Sequence, residues 1–210
     1  MTNPQRAPTP PRRPAKTRKS SSRPLAVALT GGIAAGKSEA LAAFARHGAA
    51  TASSDAIVHE LLAHDDEVRA AIRERFGEDA VGDRRRIGEI VFADGAELDW
   101  LERLLHPRVV RAQRAWFEEL ARRPEPPALA VVEIPLLYET GGEERFDAVV
   151  VVTASPELRR KRRGSFAARE ARLVPEEEKI GRADFAYVND GSLDELDAFV
   201  AGVVERLSSS

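Results

Sequence analysis

An apolar run, Leu25 to Leu29, leads into Gly31-Gly32-Ile33-Ala34-Ala35-Gly36-Lys37-Ser38, and a helical pattern begins at once after it. A strand, a glycine-bounded loop ending in Gly-Lys-Ser and a helix together make the G-x-x-x-x-G-K-[ST] phosphate loop in the context its chemistry requires. Glycines without a Cβ let the backbone curl around a polyphosphate with its N–H groups inward, and the helix turns its positive end to the same anion. In that arrangement Lys37 reaches the β- and γ-phosphates and Ser38 binds a hard divalent ion, with Mg²⁺ expected because it bridges phosphate oxygens and needs few protein ligands.

The chain has 210 residues, 43% of them hydrophobic, which suits one sizeable α/β domain with an insertion and is short for two catalytic domains. It contains no cysteine, which excludes disulfides, thiolate zinc sites and cysteine nucleophiles and fits a reducing compartment; a cytoplasmic location is expected. The four histidines are scattered and make no metal motif. No apolar run approaches the roughly 20 residues that span a bilayer, so no membrane partner is expected.

Net charge is −2, but the first 24 residues carry seven Lys or Arg and no acid, leaving 25 basic against 34 acidic residues in the remainder. Six of those 24 are proline and none forms an apolar stripe, so residues 1–24 read as a disordered basic extension. No secretory leader is expected, for want of an apolar stretch, and no amphipathic targeting helix, because of the prolines. Polybasic tails of this kind usually stay solvated, and no nucleic-acid partner is expected.

After the extension, short β-branched runs alternate with longer helical segments, the pattern of parallel strands joined by helices in an α/β fold. Strands are expected at 25–30, 49–53, 128–134, 147–153 and 184–188. Helical periodicity is clear over 38–47, where Ala40, Leu41, Phe44 and Ala45 share a face, and over 192–206 through Leu193, Leu196, Phe199, Val200 and Val203. Residues 56–126 hold no good strand and several amphipathic pieces, and are expected to form a helical insertion that binds a second substrate.

Two further constellations carry chemistry. Asp55 follows the strand that ends Thr51-Ala52-Ser53, where a carboxylate could orient an acceptor hydroxyl and take its proton during phosphoryl transfer, or could simply cap the next helix. The run Arg159-Arg160-Lys161-Arg162-Arg163 lies on a helix opened by Ser155-Pro156-Glu157. It suits a lid over a transferring phosphate, while most of its members read equally as a solvated face.

Together, Ala28 to Ser38, Ser53-Ser54-Asp55, Leu104-Leu105-His106-Pro107, Glu133-Ile134-Pro135-Leu136-Leu137-Tyr138-Glu139, Ser155-Pro156, and Lys179 with Ala183-Asp184 and Asn189 resemble the dephospho-CoA kinases. The resemblance runs from about Leu25 to Leu207. It implies transfer of the γ-phosphoryl group of ATP to the 3′-hydroxyl of dephospho-CoA, the last step of coenzyme A synthesis. The implied architecture is a three-layer P-loop kinase fold with a five-stranded parallel sheet, a helical CoA-binding insertion and a short lid over about 159–182. Asp55 falls on the family's catalytic aspartate, with Lys37 and Arg162 as its phosphate-stabilising partners. Thr30, the loop from Gly31 to Ser38, Glu39, Arg162 and Asn189 fall on nucleotide-binding positions. His106 is implied as a substrate contact, the alternative being a helix start with Pro107 in the first turn.

The chain departs from the family pattern in three places. Ser53 stands where an aspartate is usual, and Glu39 where a threonine is common, placing an acid in the first turn of the helix near anionic phosphates. The segment between Arg162 and Lys179 is short and has Leu173 in place of a common glutamine, so Arg169 could share or replace the role of Arg162. Another small-molecule kinase on the same fold, or a catalytically weak nucleotide-binding regulator, are the rival readings.

Overall fold

The apolar run before the glycine loop forms β1 (Leu25–Gly31), which is buried from its second residue onward. The computed structural model describes residues 23–163 and 173–209. Residues 1–22, nearly all of the basic extension, and residues 164–172, which include Arg169 and the middle of the expected lid, lie outside the described residues. With β2 (Ala50–Ser53), β3 (Leu129–Glu133), β4 (Ala148–Thr153) and β5 (Phe185–Val188), β1 makes a five-stranded parallel sheet in the order β2-β3-β1-β4-β5. The register sets Leu25 against Leu129, Val27 against Ala148, and Val150 against Phe185. Every residue of β3 and β4 is buried, as expected of central parallel strands covered on both faces.

Two acids extend this ladder beyond its strands. Asp184 donates its N–H to the Val149 carbonyl and accepts the Val149 N–H on its carboxylate at 2.8 Å. Asp147 does the same with Ala26, accepting its N–H at 2.9 Å, and also takes a two-pronged contact from Arg23. The sheet is covered by α1 (Lys37–Arg46), through Ala40, Ala43 and Phe44, and by α8 (Leu193–Ser208), through Leu196, Phe199, Val200, Val203 and Leu207. Ser192 and Glu195 form a reciprocal capping box at the start of α8, satisfying two otherwise orphaned N–H groups. Among the described residues, the remaining α-helices near the sheet are α6 (Pro156–Arg163) and α7 (Glu176–Arg182). Ser155 precedes α6 and its hydroxyl accepts the Leu158 N–H, as the sequence suggested.

The chain divides into two compact units, one formed by Met1–Ala52 with Glu119–Ser210 and the other by Ser53–Glu118. The second is wholly helical: α2 (Ser54–His64), α3 (Asp66–Phe76), α4 (Arg84–Ala93) and most of α5 (Gly95–Ala121). It has its own core of Leu62, Val68, Ile72, Ala80, Ile87, Val91, Leu101 and Leu105. Asp65 and Asp83 cap α3 and α4 through their carboxylates. Trp100 meets Phe76 edge-on at 5.0 Å and carries the Arg75 guanidinium over its ring.

Pro107 lies inside α5 rather than at a helix start, which corrects one of the two readings of the His106-Pro107 pair. Proline removes a donor from the helical ladder. In the turn before it, the Arg108 side chain donates to the Leu104 carbonyl at 2.9 Å, and the buried row Leu101, Leu105 and Val109 keeps the helix on its core through the break.

Candidate active site

The loop between β1 and α1 owes its curvature to three left-handed residues: Gly31 at φ 144°, Ala34 at 58° and Gly36 at 97°. At two of them only glycine fits. A Cβ on Gly31 would lie 1.8 Å from the Val152 carbonyl oxygen of β4, and one on Gly36 would lie 2.3 Å from Asn189 Nδ2. The loop is therefore pressed against β4 on one side and on Asn189 on the other. Asn189, just past β5, is buried and donates to the Ala35 carbonyl at 2.9 Å, so it supports the loop from below.

Three cations gather here. Lys37 folds back over the loop, with Nζ 2.9 Å from the Gly32 carbonyl and 3.4 Å from that of Gly31. Arg162 reaches the loop from α6, donating to the Ala34 carbonyl at 3.1 Å and to the Asn189 carbonyl at 3.3 Å. Arg159, one turn earlier, is the member of the basic run that the sequence did not single out: it is buried rather than solvated, and pairs with Glu176 at 3.2 Å. The spacing of Arg159 and Arg162 puts both on one face of α6, which is the face turned to the loop.

Thr30 is fully buried, and its hydroxyl has no hydrogen-bond partner among the described residues. Ser38 is exposed in the first turn of α1. Glu39 turns along α1 to Arg46 at 3.3 Å, where its charge is partly offset. A second buried ion pair lies nearby: Lys179 of α7, 1% exposed, meets Glu139 at 2.7 Å, and Glu139 also accepts the Val174 N–H at 3.0 Å. The sequence contains both residues but nothing local links them, since they stand forty positions apart. Arg182 extends this cluster, contacting Glu143 and lying over the Tyr138 ring at 4.5 Å; the Glu143 hydrogen bond holds its guanidinium above its usual range.

Within the helical unit, Asp55 is exposed at the second position of α2. The capping position belongs to Ser53, which makes no side-chain cap, so the reading of Asp55 as a helix cap is corrected: it sits one step inside the first turn. Its neighbour Ser54 is buried and accepts a hydrogen bond from buried Gln113 of α5 at 3.0 Å, fixing the start of α2. That contact was not foreseen, because a serine and a glutamine 59 residues apart carry no pattern. His106 is exposed on α5.

A glycine loop between the first strand and first helix of a parallel sheet, with a lysine, an arginine and a serine hydroxyl set around it, defines a P-loop nucleotide-binding protein. A family model described as dephospho-CoA kinase matches residues 25–195. The dephospho-CoA kinase of Bradyrhizobium diazoefficiens is 36% identical over 190 residues, covering 85% of this chain and 94% of the relative. Among solved structures, a protein of Thermus thermophilus superposes with a TM-score of 0.70 at 33% identity, over 88% of this chain and 98% of its own. Dephospho-CoA kinase from Campylobacter jejuni gives 0.65 at 25% identity, over 88% and 97%. The chain belongs to the dephospho-CoA kinase family and is a kinase.

Proposed function

We propose that this kinase transfers the γ-phosphoryl group of ATP to the 3′-hydroxyl of dephospho-CoA, giving coenzyme A and ADP in the cytoplasm. The observation that supports the reading is the family match over residues 25–195, a stretch that contains the phosphate loop, Asp55, His106 and Arg162. Asp55 is the base: exposed in the first turn of α2, it can accept the proton of an acceptor hydroxyl as the new O–P bond forms. Lys37 leaves the Gly31 and Gly32 carbonyls for the phosphates, and Arg162 remains at the loop, where negative charge develops. Thr30, Glu39 and Asn189 shape the nucleotide site around these two, and His106 contacts the acceptor.

The donor set fits Mg²⁺. Among the described residues no three His, Asp or Glu side chains gather into a cage, while Ser38 presents one hydroxyl beside the loop. Such a sparse set suits an ion that keeps waters and binds mainly through substrate phosphates. Ser38 would hold it, and when bound it would neutralise charge on the β- and γ-phosphate oxygens.

The test is incubation with ATP, Mg²⁺ and dephospho-CoA, following ADP release together with the mass of the acceptor. Gain of one phosphoryl group at on the order of 1 per second or faster is expected. Binding of ATP without modification of dephospho-CoA would overturn the reading.

A further inference from the structure

We propose that Arg159 is a further phosphate-binding residue of the nucleotide site, and that the Glu176 carboxylate occupies its guanidinium until the polyphosphate displaces it. The inference rests on the reading of the loop as the ATP site. It starts from Gly32. A Cβ built on that residue would lie 2.0 Å from Glu176 Oε1 and 3.3 Å from Arg159 Nη1, so an ion pair rests directly on the second residue of the phosphate loop. Lys37 Nζ contacts the carbonyl of the same residue at 2.9 Å.

The loop is built to take an anion, and the anion lying against Gly32 is a carboxylate of the protein itself. Two oxyanions cannot share that position without strong repulsion. A guanidinium with a side chain only 10% exposed is, conversely, held best with an oxyanion beside it. Exchange resolves both: the arriving phosphate takes over Arg159 as Glu176 withdraws, and the buried cation has an oxyanion partner throughout. The planar fork of arginine suits phosphate as well as carboxylate.

The surroundings show how the exchange can occur without moving the backbone. The Val174 N–H and the Lys179 ammonium both bind Glu139, which ties down the first turn of α7 on either side of Glu176. Glu176 itself is 29% exposed, so its side chain can rotate into solvent while Arg159 stays. On α6, Arg159 and Arg162 stand three residues apart: Arg159 Nη1 lies 3.3 Å from where a Cβ of Gly32 would be, and Arg162 donates to the Ala34 carbonyl. One helix face thus lays two guanidiniums along the phosphate path.

A bridge that merely joins α6 to α7 predicts that breaking it from either end has the same effect. The exchange predicts opposite signs. Glu176→Gln should tighten binding of ATP about 3- to 10-fold by removing a competing anion. Arg159→Met should weaken it about 10- to 100-fold, the range of a lost charge-assisted hydrogen bond. Both constants are measured by calorimetry on the full chain, with inorganic tripolyphosphate as a second probe that reports the phosphates alone. Arg159→Lys, which keeps the charge, should lie between wild type and the methionine variant, and serves if the latter does not fold.

Shifts of the same sign for Glu176→Gln and the Arg159 variants, or no shift in either, overturn the proposal; so does an effect on ATP that tripolyphosphate does not reproduce. Because no acceptor is present, the result is independent of whether dephospho-CoA is the substrate. Wild type that binds ATP but leaves dephospho-CoA unmodified would sink the substrate assignment alone.

Discussion

Asp55 and Arg159 differ in how far a residue's role can be read before the fold is known. Asp55 stands beside a strand end, where spacing allowed a base or a helix cap alike and only the family resemblance favoured the base; the structure gives the cap position to Ser53. Substitution by Asn keeps size and helix while deleting the base. Turnover of Asp55→Asn should fall by roughly 10²- to 10⁴-fold with ATP affinity nearly unchanged. Steady-state kinetics beside calorimetry checks both halves, and near-normal turnover would take Asp55 out of the mechanism. Arg159 is the opposite case. In the run Arg159 to Arg163 all five side chains look alike, and only the position of α6 against the loop decides that Arg159 is buried on Glu176 while Arg160 and Lys161 are solvated.

Elements were legible where periodicity is local, and obscure where distant residues decide. The five strands lie within a residue of their expected bounds, because short runs rich in apolar and β-branched residues alternate with longer helical segments. Helix α5 was harder: Pro107 interrupts its pattern, yet packing of Leu101, Leu105 and Val109 holds the helix through it. The pair joining α7 to Glu139 was invisible in the same way, and it is open to test. Lys179→Met leaves the Glu139 carboxylate buried with the Val174 N–H as its remaining contact, and should destabilise by about 3–5 kcal/mol. Pairing that change with Glu139→Leu should restore much of the loss, as urea unfolding of the three variants would reveal.

The clasp between α1 and α8 offers a pH test. Asp197 accepts hydrogen bonds from Arg46 at 2.7 Å and from His47 at 2.8 Å, and these, Arg46 first, hold its carboxyl below the usual range. A carboxyl depressed in the folded chain contributes above its unfolded pKa of roughly 4, and the contribution is lost as pH falls through the folded value. Wild type should therefore be more stable than Asp197→Asn at pH 7. Urea midpoints of the two should converge as pH falls below the usual carboxylate range.

At the scale of the whole molecule, the two units divide the proposed site residues as well as the cores. Every loop residue from Gly31 to Ser38, with Arg162 and Asn189, belongs to the first unit, whereas Asp55 and His106 belong to the second. A cavity cut into the second core should then separate nucleotide binding from turnover. Ile72 is the residue to cut: it is 1% exposed, packs among Leu62, Val68 and Leu101, and lies in α3, which carries none of the proposed site residues. Ile72→Ala removes buried methyl groups and should lower stability by about 2–4 kcal/mol. At a temperature where the variant is still folded, its ATP dissociation constant should stay within about twofold of wild type, since Ile72 belongs to a core that shares no residue with the core of the loop's unit and sites without shared partners rarely couple strongly. Its KM for dephospho-CoA should rise and its turnover fall, because the helices bearing Asp55 and His106 rest on the softened core. Parallel loss of ATP affinity would mean instead that the two cores form one cooperative structure and that the nucleotide site depends on both.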